Sequence, residues 1–466
     1  MKIVTFLFFI FLIGCKDEPV RDTTYIHGEI VNPFENYILL YKDNDLVDTI
    51  FLNDRNTFTY ELKEAEEGLY IFRQPPESQT IYIVPGDSIL FRVNTLAFDE
   101  TLYFSGTSAV KNNFLMELFL LNDRNNELIL SYYKIDPKKF AAISDSIHTV
   151  RENMFDELVK ENDFSENFIE LGAKSVDYEF YDLRERYAFL IQKFAQDERK
   201  ISERFFDYRN QVNFNDKTLK NHIVYQRFLD DYLKNRSIEN CEQRSTDRDC
   251  YSLNNYYNLR RRILLVDSLF TIDVLRNRFF QRFGAQQIIF SDRASQIDST
   301  LQLLSKLSYE EKGLEELGKL ADVQRSYFIG NNISDKKLID FEGHKISIKK
   351  LLNKPTITFS WSLYNEDDYK NKHEKISELR RKYPEINFIA INIDDGETEA
   401  WKRVVTKNRY DPNFEYQNRG TGDKKELYRN YLNKVLFINR KGEIVFGDIP
   451  LDSPNFEGYI LEFLNQ

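Results

Sequence analysis

Sulfur is scarce in this sequence, which has three cysteines and three methionines among its 466 residues. No two cysteines have the CxxC spacing of a redox dithiol, and no two of the five histidines have a metal-ligand spacing such as HxxxH. The net charge is -11 and no long basic run occurs, whereas nucleic-acid binding requires clustered Lys and Arg. The sequence therefore predicts no metal, no cofactor and no nucleic-acid partner.

Motifs of other enzyme classes are missing too. The sequence has no GxSxG nucleophile elbow, and Gly420-Thr421-Gly422 lacks the ending of a phosphate-binding loop. The hydrophobic fraction of 42% and the charged fraction of 30% fit globular domains with real cores, and the length predicts about three of them.

One apolar run stands out at the N-terminus, where Lys2 precedes Ile3–Gly14. It is too short to span a bilayer as a stable helix, and residues 1–14 are predicted to be a signal peptide. The run ends in Leu12-Ile13-Gly14-Cys15, which resembles the bacterial lipobox. That resemblance implies that Cys15 carries fatty acyl chains such as palmitate, which hold the chain on a membrane. The alternative is an ordinary cleaved signal with a chance cysteine.

Residues 15–24 are predicted to be a flexible tether. Their Lys16-Asp17-Glu18 resembles a tag that sends some Gram-negative lipoproteins to the outer face of the cell. The expected location is therefore the outer membrane, with the periplasmic or the surface-exposed side left open.

Cys241 and Cys250 remain once Cys15 is assigned to lipid. Outside the cytoplasm two nearby cysteines usually pair, which predicts a structural disulfide. The alternative is a reactive dithiol, although the spacing is wide and the intervening loop has no Pro or Gly.

Residues 25–106 read as short strands separated by turn signals, which predicts an antiparallel β-sandwich. Residues 107–325 change to a helical period, with Asp136 as the cap and Pro137 as the first residue of one helix. Aromatic residues make up 15% of the chain, and their helical spacing favours core packing over a carbohydrate-binding or partner surface.

Residues 326–466 are predicted to alternate strands and helices behind an N-terminal hairpin at Glu342-Gly343. Strand Thr356–Trp361, helix Glu366–Tyr383 and strand Phe388–Ile393 form its centre. This order resembles the thioredoxin fold, and most of all the membrane-tethered periplasmic thiol–disulfide family. The signals of the first domain resemble the β-domain that precedes such domains in many bacterial lipoproteins. The expected fold class is therefore multidomain α+β: a β-sandwich, an all-α domain and a thioredoxin-like α/β domain.

That family uses two cysteines and a cis-proline. The resemblance places the cysteine positions at Tyr364 and Asp367, or at Asn365 and Asp368 after a one-residue shift, and the proline at Asn433 or a neighbour. None of these residues can perform thiol–disulfide exchange. The sequence thus predicts a vestigial redox site with no catalytic residue, which favours a protein that is not an enzyme.

Two nearby groups are candidates for other chemistry. His373 could approach Tyr364 or Asp367 as an acid–base pair, although a solvent-facing or partly buried helix residue is the expected reading. Asp394, Asp395, Glu397 and Glu399 could gather calcium, but they lack the EF-hand spacing, and a solvated loop is expected.

Three functions follow from these patterns. The first is a lipid-anchored envelope protein that binds or scaffolds an envelope protein or peptide without redox chemistry. The second is a thiol–disulfide oxidoreductase that uses Cys241 and Cys250. The third is surface capture of a glycan or peptide by aromatic residues, including Trp361 and Trp401, which requires an aromatic cleft open to solvent.

Overall fold

The computed structural model describes residues 23–43, 45–75, 77–132, 134–194, 201–242, 250–291, 293–394, 396–418, 434–447 and 449–465. The predicted signal peptide, Cys15 and Asn433 lie outside these ranges. Within them, no helix combines the length and the apolar composition needed to cross a membrane. The chain divides into two compact units, Met1–Leu120 and Leu121–Gln466.

The first unit is built from eight strands in two four-stranded sheets. The strands are β1 (Thr24–Val31), β2 (Tyr37–Lys42), β3 (Asp45–Phe51), β4 (Thr57–Leu62), β5 (Gly68–Gln74), β6 (Glu77–Ile83), β7 (Ser88–Asn94) and β8 (Tyr103–Gly106). The short helix α1 (Phe98–Thr101) lies in the connection between β7 and β8. One sheet has the order β4-β1-β7-β8 and the other β3-β2-β5-β6. Alternate apolar residues of both sheets, such as Ile26 and Phe72, share one buried core, as the alternation in sequence predicts.

The pairing of β1 with β7 departs from the prediction of a purely antiparallel sandwich. These two strands run parallel, with Ile26 opposite Ile89. A parallel pair needs a long crossover, and the chain supplies one because β2 to β6 lie between the two strands in sequence. The sandwich arrangement of the two sheets stays a prediction.

The second unit begins with helices. These are α2 (Ala109–Tyr132, which starts in the first unit), α3 (Pro137–Glu161), α4 (Glu166–Phe194), α5 (Ile223–Glu242), α6 (Tyr256–Leu269), α7 (Asp273–Ile289), α8 (Ala294–Lys306) and α9 (Glu311–Ser326). The side chain of Asp136 caps α3 by accepting from the backbone N–H of Lys138 at 2.9 Å, as predicted. Aromatic rings pack inside, for example Phe140 stacked on Tyr187 with ring centroids 3.8 Å apart.

Helix α4 also carries a row of buried acids, which we call the acidic row. Glu179, Asp182 and Glu185 lie three residues apart and are almost fully buried. Arginines from three neighbouring elements meet them: Arg151 of α3 pairs with Glu179, Arg227 of α5 with Asp182, and Arg209 of the 3-10 helix Glu203–Gln211 with Glu185. Charges this deep need such partners, because an unpaired buried ion costs several kcal/mol.

The C-terminal part of the second unit forms a seven-stranded sheet of order β10-β9-β13-β12-β11-β14-β15. Its strands are β9 (Lys337–Ile339), β10 (Lys345–Ser347), β11 (Thr356–Trp361), β12 (Asn387–Asn392), β13 (Glu415–Asn418), β14 (Val435–Ile438) and β15 (Ile444–Gly447), and its helices are α10 (Glu366–Lys382), α11 (Thr398–Lys407) and α12 (Phe456–Leu464). Strands β11 and β12 are parallel and joined through α10, whereas β14 and β15 form an antiparallel hairpin. Apart from strand β13, this is the order of elements that the sequence predicted.

Strand β13 was not predicted. Its four residues, EYQN, are mostly polar, yet Glu415 and Gln417 are buried. It pairs parallel to β12 and antiparallel to β9, and so joins the N-terminal hairpin to the main sheet. The sequence pattern also predicts a short helix at Glu426–Tyr431, and this segment lies outside the described residues.

Candidate functional site

The turn between β11 and α10 holds the predicted redox positions. Asn365 caps α10, and its side-chain oxygen accepts from the backbone N–H of Asp368 at 3.2 Å. Glu366, Asp367 and Asp368 fill the first helical turn, where acids favour the positive end of the helix dipole. Both alternative alignments therefore put the cysteine positions at a helix start, and neither supplies sulfur.

Buried Asp394 holds the turn from the end of β12. Its carboxylate accepts from Ser362 Oγ at 2.9 Å, from the backbone N–H of Leu363 at 2.7 Å and from Asn392 Nδ2 at 3.1 Å. The expectation of a solvated acidic loop is wrong for Asp394, because these donors compensate the loss of water around its carboxylate. A network of oxygen and nitrogen atoms thus fixes the turn.

Glu397 is buried as well, and the hydroxyl of Tyr364 donates to its carboxylate. The Tyr364 side chain is therefore engaged inside the protein. Asp395, another residue of the calcium hypothesis, lies outside the described residues. Since Asp394 and Glu397 each already serve a protein donor, the geometry favours a structural role for both.

His373 is buried and faces Glu415, not Tyr364 or Asp367. Its Nε2 lies 3.0 Å from a carboxylate oxygen of Glu415, its Nδ1 lies 2.6 Å from the carbonyl of Tyr369, and its ring stacks on Tyr410 at 3.7 Å. Burial raises the pKa of Glu415, and the histidine partly opposes that rise. The alternative of a pair with Tyr364 or Asp367 is therefore wrong, and the partner that His373 does have, Glu415, comes from strand β13, which was not predicted.

Lys434, which follows the predicted proline position, contacts the helical region. Asn433 lies outside the described residues, but its neighbour Lys434 is buried. Lys434 Nζ donates to the carbonyl of Ile289 at 3.1 Å, at the negative end of α7, and its own carbonyl accepts from the backbone N–H of Ser360 at 3.1 Å. The end of α7 therefore contacts the chain next to the predicted proline position.

A cleft of about 900 Å³ opens beside this contact. Val435, Leu451 and Phe456 give it an apolar floor, and Phe290 comes from the helical region; its other lining residues are Asn254, Asp368, Asn371, Lys372, Lys375, Ile449, Pro450, Asp452, Ser453, Pro454 and Glu457. Such a volume fits a ligand of several residues or a drug-sized molecule.

Lys372 stands on the α10 wall of the cleft. Its Nζ donates to Asp368 Oδ2 at 2.8 Å and to the carbonyl of Ser360 at 3.3 Å. Burial lowers the pKa of Lys372, and Asp368 opposes that shift. The cleft therefore offers paired charges above an apolar floor, a mixture suited to a polypeptide segment.

Cys241 and Cys250 form a disulfide with Cα atoms 5.7 Å apart, the pairing that the sequence predicted. The bond ties the end of α5 to the segment before α6, and Cys250 is buried. It lines a separate cavity of about 250 Å³, and the described residues around that cavity all belong to 237–264. Asn254 lines the cleft, and the next residue, Asn255, lines this cavity.

Trp361 and Trp401 are fully buried in the core of the thioredoxin-like sheet. The hypothesis that they capture a glycan is therefore wrong, because neither ring reaches solvent. Two aromatic residues line the cleft: Phe290, whose ring is exposed, and Phe456, which is buried in the floor.

The sequence did not reveal one group of possible metal-ligating side chains, because its residues come from two different helices. His148, Glu152 and Asp177 place one possible ligand atom each within 4.8 Å of one another. The first two lie one helical turn apart on α3, and Asp177 comes from α4. The imidazole lies between the two carboxylates, with Nε2 2.9 Å from Asp177 and Nδ1 3.6 Å from Glu152. The geometry already accounts for these contacts as a hydrogen bond with Asp177 and a close approach to Glu152.

Comparison with known proteins gives structural matches alone. No family model matches the chain, and no curated protein matches it. Among solved structures, a thiol:disulfide interchange protein from Bacteroides sp. is 16% identical, with 30% of this chain and 93% of that chain covered, at a TM-score of 0.24. A thiol-disulfide oxidoreductase from Bacteroides fragilis is 20% identical, with 28% and 98% covered, at a TM-score of 0.23. These neighbours are thioredoxin-fold proteins matched over part of this chain, and at such scores they carry no argument about its function.

Proposed function

We propose that this chain is a lipid-anchored cell-envelope protein whose thioredoxin-like region binds a protein or peptide partner without redox chemistry. The observation that carries the proposal is the turn at the start of α10. The resemblance puts Tyr364 and Asp367, or Asn365 and Asp368, at the thiol positions, and Asp394 and Glu397 hold the turn through hydrogen bonds. Function depends on the site and not on the fold, and this site contains no nucleophilic sulfur.

The cleft is the place where the partner would bind. It joins an apolar floor to charged groups, and Phe290 adds a half-exposed ring from the helical side. A peptide can fill such a space with an apolar side chain while its polar backbone meets Asn371, Lys372 and Asp452. The helical region then contributes to recognition.

Crosslinking in membranes of cells that express the full chain tests this proposal. Phe290→Asp puts a charge over the apolar floor and is expected to lower the yield of a specific crosslinked partner by about tenfold. Phe194→Asp is the matched control, since Phe194 is also exposed, at 56% against 46% for Phe290, and lies outside the cleft. Equal yields from wild type and Phe290→Asp would reject the cleft as the binding site.

The anchor is proposed from the lipobox-like residues that end in Cys15. Acylation there would hold the chain on the outer membrane, on the periplasmic or the surface side. Labelling with a palmitate analogue should be lost in Cys15→Ser, and labelling that persists in this variant contradicts the anchor.

A second candidate function is thiol–disulfide exchange by Cys241 and Cys250. The observation that favours it is that consecutive residues, Asn254 and Asn255, line the cleft and the disulfide cavity. Four residues span at most about 14 Å, so Cys250 lies within that distance of the cleft wall at Asn254.

Insulin reduction separates the two candidates. Because Cys250 is buried and the vestigial turn has no thiol, we expect the full chain in detergent to reduce insulin no faster than its Cys241→Ser/Cys250→Ser variant. A clearly faster rate for the wild type, together with reduction of the disulfide by mild dithiothreitol, establishes the second candidate instead.

A further inference from the structure

The cavity beside the disulfide has a wall that is rich in cationic donors. Arg260 and Arg261 of α6 both line it, next to Cys241, Cys250 and Leu264. No carboxylate is found among the described residues that line it. In a chain of net charge -11, a cavity whose described wall has two guanidinium groups and no acid is unusual.

The polar groups around the arginines are already used. The Asn240 side-chain oxygen accepts from Arg261 Nη2 at 3.0 Å, and the Asn255 oxygen accepts from the backbone N–H of Tyr257 at 2.8 Å. The Asn258 oxygen accepts from Ser237 Oγ and from Arg262 Nε. These amide oxygens therefore leave little acceptor capacity for Arg260.

Arg260 supplies the donor that remains. Its Nη1 is buried and has no hydrogen-bond partner within the described part of the chain. A buried cationic N–H that lacks an acceptor is costly, and an anionic oxygen placed in the cavity would remove that cost with a charge-assisted hydrogen bond. The start of α6, whose cap Asn255 also lines the cavity, adds its positive dipole end.

The volume of the cavity and its other lining residues restrict which ligands can fit. About 250 Å³ exceeds a bare phosphate ion, and Leu264 and the disulfide give part of the wall an apolar surface. The disulfide also fixes the end of α5 relative to the segment that leads into α6, so both walls are held before any ligand binds. A small organic molecule with one oxyanion group matches this shape.

We propose that the disulfide cavity is a binding site for a small organic oxyanion, a carboxylate or a phosphate ester, and that Arg260 is its principal recognition residue. The site is independent of the vestigial redox turn and requires no redox change of Cys241 and Cys250. It would give the helical region a ligand of its own.

Titration calorimetry on the full chain in detergent tests the site. The probes are butyrate and glycerol phosphate, and sodium chloride at matched ionic strength is the reference. One of the two probes is expected to bind saturably at one site, and the more tightly bound probe identifies the carboxylate or the phosphate class. Arg260→Gln removes the charged donor and should weaken that binding by about tenfold or more. Arg381→Gln, which makes the same charge change on an exposed position of α10, should leave the dissociation constant unchanged.

Folding of the variants is checked by circular dichroism before titration. Should Arg260→Gln not fold, Arg260→Lys keeps the charge but loses the forked donor geometry, and a weakening of several-fold is expected from it. The proposal is overturned by the absence of saturable binding of both probes to the wild type. Equal dissociation constants for the wild type and the folded Arg260 variant overturn it as well.

Discussion

Glu185→Ala is expected to lower the free energy of unfolding by about 3–5 kcal/mol, because it leaves a buried arginine without its main partner. Glu185 has no exposed surface and accepts from Arg209 through two bonds, Nε at 2.7 Å and Nη2 at 2.8 Å. Tyr208 donates to the same carboxylate at 2.8 Å, and Asn235 at 2.6 Å. After the substitution, Glu239 remains near Arg209 at 3.0 Å and compensates only part of the loss.

Urea unfolding followed by circular dichroism measures this effect. The matched control is Lys319→Ala, which breaks an exposed pair with Glu315 on α9 and should cost less than about 1 kcal/mol. A loss below about 1 kcal/mol for Glu185→Ala would mean that Arg209 finds solvent or another acid in the variant. The double variant Glu185→Leu/Arg209→Met should recover much of the loss, since it removes both charges together.

Local patterns predicted the centre of the thioredoxin-like sheet well. The apolar run Thr356–Trp361 became β11 with the predicted bounds, and the helix that starts at Glu366 ends at Lys382, one residue before the predicted end. Both patterns are local, since the strand is buried on both faces and Pro384 stops the helix. Sequence periodicity is therefore sufficient to predict an element whose structure depends mainly on the burial of its own residues.

Features that depend on distant partners were missed. Asp394 was expected in solvent because nothing near it in sequence shows that the backbone of Leu363, 31 residues earlier, would donate to it. Strand β13 was missed for the same reason, since its polar residues are satisfied by His373 and Asn392 from other elements. The parallel pairing of β1 with β7 likewise depends on strands that are far apart in the chain.

The acidic row shows the same limit in the helical region. A three-residue spacing predicts that Glu179, Asp182 and Glu185 share a side of α4, and that spacing is typical of a solvated face. The structure instead buries this side against arginines from α3, α5 and a 3-10 helix. Only the packing of those elements shows that this side of α4 is buried and not solvated. The burial also makes the free energy of unfolding depend on pH near neutrality.

Burial raises the pKa of Glu179 to about 7, although Arg151 and Arg227 oppose that rise, and burial raises the pKa of Asp182 to about 6. An acid whose pKa is higher in the folded protein than in the unfolded chain stabilises the fold most at low pH. Its contribution is complete below the unfolded value of about 4.5 and is lost as the pH rises through 7. Between pH 5 and pH 8, the pKa of Glu179 alone should reduce the free energy of unfolding by about 2–3 kcal/mol.

Glu179→Gln isolates this effect, because glutamine has nearly the same shape and does not titrate. We expect the decrease in the free energy of unfolding from pH 5 to pH 8 to be about 2–3 kcal/mol smaller in Glu179→Gln than in the wild type. Glu315→Gln removes an exposed carboxylate on α9 and should keep the wild-type pH dependence. Asp182 titrates in all three proteins. When Glu179 and Asp182 titrate independently, the contribution of Asp182 to the pH dependence therefore cancels in the comparison. Equal pH dependence in the wild type and Glu179→Gln would mean that Arg151 and Arg227 outweigh burial and keep Glu179 ionised below pH 5.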